Sequence, residues 1–209
     1  MSEEAKQQEG QMGRWSWIYD PLMAIMTMGK EGRLRQGTVE LARLKPGDNV
    51  LEVGCGTGSL TLAAKLQVGP SGEVVGIDIA PEMVAVATRK AARRNVGATF
   101  QVGSIADLAF PENRFDVVLC SFMIFHMPEE VRTRGFAQVH RVLKPGGHLF
   151  ILDAAQTDRQ RRRSAKMHDV RELVPVLAQH RFGEIETKET EFVLFGTRFW
   201  SLRAKAEKP

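Results

Sequence analysis

Cysteine is scarce in this chain. Cys55 and Cys120 are the only two among 209 residues, which excludes a disulfide scaffold and a four-cysteine zinc site. Two isolated thiols suit a reducing compartment. Long apolar runs are lacking too. The best candidate, Val117 to Met127, is 11 residues long and includes Ser121 and His126, whereas a membrane-spanning helix needs roughly 20. No charge of one sign dominates: 29 Lys and Arg face 25 Asp and Glu, for a net +4. That balance does not suit a dedicated nucleic-acid coat. No supersecondary-length repeat is present. The opening MSEEAKQQEG is polar and acidic, unlike the cationic and then apolar start of a secretory signal. Together these absences predict a cytoplasmic protein with a disordered tail over residues 1–12. No metal-ligand spacing is found, so no metal is expected.

What is present is a composition of 43% hydrophobic and 26% charged residues, ordinary for one globular domain. The charge is uneven. Residues 157–166, TDRQRRRSAK, carry five cations and one Asp; residues 184–191, EIETKETE, carry four Glu and one Lys. The basic run reads either as a solvated loop or as a patch for an acidic substrate or an anionic membrane surface.

From Asn49 the chain alternates. NVLEVG, EVVGID, ATFQVG, FDVVLCSF and HLFILD read as five strands, with KPGG as the turn into the fifth. SLTLAAKL, PEMVAVATRKAARRN and PEEVRTRGFAQVHRVL read as the helices between them. Pro81 and Glu82 open the second helix and four cations crowd its end, where the helix dipole favours them. Apolar strands alternating with helices predict a parallel sheet covered on both faces. A further helix is expected in the region of His168 to His180, started or kinked at Pro175. GEIETKET and TRFWSLRAK then read as two strands joined by EFVLFG, a link too short for a parallel crossover, so the last pair is antiparallel. The division expected is one domain over residues 13–209. It comprises an N-terminal helical segment at 13–44, a core at 45–153, and a C-terminal helix and strand pair at 154–209.

The strongest local pattern is Leu51-Glu52-Val53-Gly54-Cys55-Gly56-Thr57-Gly58, at the end of strand one and the start of a helix. Glycines there permit a tight turn and close approach of backbone to a ligand. Asp78 ends strand two, 24 residues after Gly54. Adjacent parallel strands end side by side, so Asp78 can reach a ribose diol bound over the glycines. A dinucleotide loop would place a third glycine where Ser59 stands. Glu52 would repel a pyrophosphate but suits a ligand bearing an ammonium and a sulfonium. The loop therefore points away from NAD and toward S-adenosylmethionine.

LEVGCGTG, GIDIAPEM, GSIADLAFPENRFDVVLCSF and RVLKPGG resemble, in order and spacing, the class I S-adenosylmethionine-dependent methyltransferases of the ubiquinone/menaquinone-biosynthesis type. The resemblance covers roughly residues 40–153. It implies an α/β, Rossmann-like, seven-stranded, mostly parallel sheet of order 3-2-1-4-5-7-6, with strand seven antiparallel and helices on both faces. It implies Glu52 near the methionine amino group and Gly54, Gly56, Thr57 and Gly58 along the methionine and ribose. Asp78 would take the ribose diol, with Ile79, Ser104 and Ile105 about the adenine and Ser121 at the amino-acid end. Cys55 and Cys120 read as small apolar fillers.

The acceptor is less defined. A phenol or activated ring carbon must lose a proton and benefits from a base. His126, in Phe125-His126-Met127-Pro128 after strand four, is the candidate; its alternative is a structural His capping the next helix. The window GRWSWIYDPLMAIMTMGKEGRL has an apolar stripe at helical spacing. It reads either as packing or as a lid with a Met-rich wall for a lipophilic acceptor. Tyr19, Met26 and Phe125 are the candidate acceptor contacts. The quinone-pathway enzymes carry Arg-Asn where this chain has Phe125-His126. The reading is therefore methyl transfer to a small lipophilic or aromatic acceptor, with phospholipid or small-molecule N-methylation as the alternative. A cofactor-binding scaffold or sensor is the non-enzyme alternative. The partners expected are a small molecule and peripheral membrane contact, without nucleic acid.

Overall fold

The computed structural model describes residues 31–155, 169–194 and 197–208. Tyr19, Met26, most of the N-terminal segment and the basic run at 157–166 lie outside the described residues. The elements are α1 (Glu31–Leu41), β1 (Asn49–Val53), α2 (Ser59–Val68), β2 (Glu73–Asp78), α3 (Pro81–Arg94), β3 (Thr99–Val102) and β4 (Phe115–Ser121). They continue with α4 (Glu129–Val142), β5 (Leu143–Ala155), α5 (Leu173–Gln179), β6 (Phe182–Leu194) and β7 (Thr197–Ala206). The seven strands form one sheet of order β3-β2-β1-β4-β5-β7-β6. This is the expected Rossmann-like topology, mostly parallel with β7 antiparallel. Among the described residues no helix is long and apolar enough to cross a membrane.

The chain divides into two compact units, residues 1–104 and 105–209. In the first, β1 pairs parallel with β2, and β2 with β3. Val50, Leu51, Val74 and Ile77 are buried, each large side chain contributing about 1.5–3 kcal/mol. Met83, Ala87 and Ala91 recur every fourth residue on α3 and form its buried stripe. Pro81 stands at the first turn with Glu82, and Arg93 and Arg94 close the last turn, as the sequence implied; Asn95 takes the left-handed cap.

In the second unit, β4 and β5 pair parallel, β5 and β7 antiparallel, and β6 and β7 antiparallel. Phe115, Phe136, Phe150, Leu149 and Ile151 fill its core. The KPGG segment, read as a turn, lies inside β5. Gly147 lets β5 pass its neighbour, because a Cβ there would lie 2.9 Å from the Asp116 carbonyl. Likewise Glu191–Leu194, read as loop, continue β6 up to the pair Leu194 with Thr197. The helix expected from His168 is a 3-10 turn at Val170–Glu172 followed by α5. Pro175 is the third residue of α5, where its missing N–H leaves no intrahelical bond unmade.

Candidate functional site

The glycine loop is built by backbone geometry. Gly54, Gly56 and Gly58 all have positive φ, at 70°, 52° and 77°, a region that glycine enters without penalty. The amides of Gly54 and Cys55 both donate to the Ile77 carbonyl, at 2.8 and 2.9 Å, which ties the loop to the end of β2. Gly58 is also sterically required: a Cβ there would lie 2.7 Å from the Phe100 ring and 2.9 Å from Ala87. Gly56 differs. A Cβ on it would meet nothing within 4 Å, so the loop leaves open space at that point.

Asp78 locks onto this loop. Its Oδ2 accepts from the Gly56 amide at 2.8 Å and its Oδ1 from the Ala80 amide at 3.0 Å. The carboxylate is buried, and burial raises its pKa against the lowering effect of these amides. Beside it stand two exposed apolar side chains, Ile79 and Val102. Val102 is the register partner of Asp78 on β3. A held carboxylate, a loop open at Gly56 and uncovered aliphatic groups fit a ligand with a diol and a flat apolar ring. Those are the ribose and adenine that S-adenosylmethionine would bring. Ser104, half-buried after β3, lies in the same unit.

Two of the expected contacts have other partners. Glu52 is buried and its Oε2 accepts the Thr61 hydroxyl of α2. Gly76, opposite Glu52 in the register, makes room for this pair: a Cβ there would lie 2.9 Å from Thr61 Oγ1. Burial pushes the Glu52 carboxyl up to about 7, opposed by the Thr61 bond and the charge of buried Arg35 and reinforced by Asp78. Thr57 is also buried, and its hydroxyl accepts from Lys90 Nζ at 3.1 Å. The same ammonium donates to Ser59 at 3.2 Å. Lys90 therefore clamps the loop to α3, a role the sequence reading missed. Its signal was the cationic end of α3, which dipole complementarity alone had explained. Cys55 is buried, and burial with the nearby carboxylates pushes its thiol up, as a filler requires.

In the second unit, Ser121 ends β4 and is buried. Ile105 is buried too, and packs on α4, where a Cβ at Gly135 would lie 2.8 Å from it. After β4, Phe122 turns with φ 57°, its amide donating to Leu152. Ile124–His126 form a 3-10 turn. Phe125 is half-buried under the Arg132 guanidinium, 5.8 Å from the ring centre. His126 is exposed, and Pro128, the residue before α4, marks its start with no side-chain cap bond. The capping role weighed for His126 is thus not what this turn uses. Asp153, missed by the sequence reading, holds the turn instead. Its Oδ2 accepts from the Ile124 amide at 3.1 Å and its Oδ1 from the Ala154 amide at 2.8 Å. Burial raises the Asp153 pKa, while these amides and the charge of His126 lower it.

A sheet of this order, with a glycine-cornered loop after β1 and an acid ending β2, is the Rossmann-like arrangement expected from the sequence. The stretch 50–147 matches the model of a methyltransferase domain family. The demethylmenaquinone methyltransferase of Symbiobacterium thermophilum is 36% identical over 140 residues, covering 66% of this chain and 55% of that protein. That of Lactobacillus johnsonii is 32% identical, covering 66% of this chain and 57% of its own. The chain thus spans a little over half the length of these relatives. A solved S-adenosylmethionine-dependent methyltransferase from Aquifex aeolicus superposes with a TM-score of 0.69 at 21% identity, covering 82% of this chain and 89% of that one. The cyclase SpnF superposes with 0.72 at 20% identity, covering 85% and 81%.

Proposed function

We propose that this protein transfers a methyl group from S-adenosylmethionine to a small lipophilic aromatic acceptor of the quinol type. The fold does not decide the reaction, since a cyclase shares it. The observation that carries the reading is the 36% identity over 140 residues to a demethylmenaquinone methyltransferase. When bound, the cofactor supplies an electrophilic methyl on a sulfonium. Asp78 would accept from the ribose diol, with its carboxylate already fixed by Gly56 and Ala80. Ile79 and Val102 supply apolar surface for the adenine, and Gly56 admits the chain of atoms between. Positioning of the acceptor can supply about 7–11 kcal/mol of the barrier. His126, exposed on a turn held by Asp153, takes the proton that a quinol or phenol must lose.

The test is a methyl-donor assay against quinols, phenols and phospholipids, following formation of S-adenosylhomocysteine. Methylated quinol or phenol is the expected product. Methylation confined to phospholipid headgroups would establish the N-methyl alternative. Tight cofactor binding with no turnover on any acceptor would leave the binding-module reading.

A further inference from the structure

The glycine loop is held from two sides. On one side the Gly56 amide donates to Asp78 at 2.8 Å, and the Gly54 and Cys55 amides donate to the Ile77 carbonyl. On the other side the hold comes from α3. A Cβ on Gly58 would lie 2.9 Å from Ala87. Lys90, three residues on and so on the same helix face, donates to the Thr57 hydroxyl at 3.1 Å and to Ser59 at 3.2 Å. Between the two holds runs Gly56–Gly58, with its glycines at φ 52° and 77°. Glycine backbone loses more freedom on being ordered than any other.

Lys90 occupies a poor place for an ammonium. It is half-buried, while Arg89, Arg93 and Arg94 around it are exposed. Arg94 stands four residues on, a like-charge spacing that disfavours the helix. Arg93 and Arg94 lie in the last turn of α3, where the dipole favours cations, and Lys90 stands before that turn. Its tip meets Ser59, the first residue of α2, the end at which a helix dipole disfavours a cation. Against these costs stands one gain. The loop is ordered before a ligand arrives, and such pre-organisation raises affinity.

We propose that Lys90 is a positioning residue for the methyl donor: without touching the donor, its ammonium presets Thr57 and the flanking glycines in the shape that receives S-adenosylmethionine. The role rests on the cofactor assigned under the proposed function, and extends that site to a residue of α3.

Lys90→Met keeps the stem and removes the donors, which makes it the first test. Calorimetry with S-adenosylhomocysteine should show affinity lowered by about tenfold, as expected when one or two groups must be ordered on binding. The unliganded variant should melt near the wild type, while amide exchange at Cys55–Gly58 quickens. Lys90→Arg still offers donors to both hydroxyls and should recover most of the affinity. Added to Thr57→Val with Ser59→Ala, Lys90→Met should lower affinity no further, since all three act through the bonds of one ammonium. Should Lys90→Met melt early, Ser59→Ala keeps the ammonium, breaks one bond and should give the same pattern at a smaller loss. Methylthioadenosine has the ribose and adenine but no carboxylate, so the same loss is expected with it. Three results would overturn the inference: wild-type affinity in a folded Lys90→Met variant, a loss confined to ligands that carry the carboxylate, or losses that add in full. Absence of binding by the wild type as well would overturn the cofactor reading instead. The exchange of the loop amides, read without ligand, still decides whether Lys90 holds the loop.

Discussion

Asp78 and Gly56, 22 residues apart, are joined by a 2.8 Å hydrogen bond from the Gly56 amide to the Asp78 carboxylate. The acid that would hold a ribose is thus the same group that sets the shape of the glycine loop. Removing it should damage the loop and the ligand site together. Asp78→Ala is expected to lower affinity for S-adenosylhomocysteine by tenfold or more, since bonds to a charged acceptor are worth about 1.5–3 kcal/mol each. Asp78→Asn should recover stability, through its remaining carbonyl acceptor, more than affinity. Calorimetric titration with thermal melts checks both; unchanged affinity in the Ala variant would place the ribose elsewhere.

Gly56 and Gly58 make a matched pair for substitution. Gly58→Ala forces a Cβ to 2.7 Å from Phe100 at a φ of +77°, so a loss of about 2–4 kcal/mol is expected from overpacking and strain. Gly56→Ala meets open space and should lose only about 1 kcal/mol from its backbone conformation. Its deficit should appear in cofactor affinity. Denaturant melts and cofactor titrations side by side would show the two effects separating; equal stability losses would remove the steric account.

Glu52 sets a pH dependence. Its carboxyl is pushed from an ordinary 4.5 to about 7 by burial. The folded state therefore holds this proton when the unfolded chain has lost it. The stabilisation is fully present below about pH 4.5, declines as pH rises, and is lost above about 7, a contribution on the order of 3 kcal/mol. Asp78 and Asp153 shift in the same direction. Glu52→Gln mimics the protonated form while keeping an acceptor for Thr61. It should melt higher than wild type at pH 8 and nearly equal to it at pH 5. Wild-type melting at pH 8 would show that the native carboxyl is already comfortable as an anion.

His126→Ala is expected to lower turnover by about 10²–10⁴ with cofactor affinity retained. Its side chain is exposed and caps no helix, so the melting temperature should hardly move. Asp153→Ala should do the opposite first. It leaves the buried Ile124 amide and the half-buried Ala154 amide short of their acceptor and should cost about 2–4 kcal/mol. Turnover of the His126 variant within a factor of two of wild type would remove it from the chemistry.

The strands and their order were legible because parallel strands announce themselves as apolar runs, and because LEVGCGTG and Asp78 carry their geometry locally. Glu52's true neighbours were not. Its bond to Thr61 depends on Gly76 being empty on the adjoining strand, a tertiary fact with no local mark. Lys90 was hidden by sufficiency, since the helix dipole already accounted for a cation there. Asp153 lies near the end of an apolar strand, as Asp78 does, but the Ile124 amide it holds is on the turn after β4, 29 residues earlier. The KPGG segment misled because Pro and Gly signal turns, while here Gly147 serves close passage of β5 past Asp116. EFVL was read as a link, though its Phe, Val and Leu suit a strand as well.

At 13 residues, β6 is a long strand at one end of the sheet order. A free edge of that length invites a second chain to add its own strand and start an aggregate. The register of β6 on β7 breaks twice, between Gly183 and Glu186 and between Glu189 and Val193. Such irregularities twist an edge and interrupt the regular row of donors and acceptors that an incoming strand would need. Glu184, Glu186 and Glu189 of this strand are each tied to a cation of β7, Lys205, Arg203 and Arg198. The acidic stretch that stood out in the sequence thus fastens β6 to the cations of β7 across a register that its backbone breaks twice.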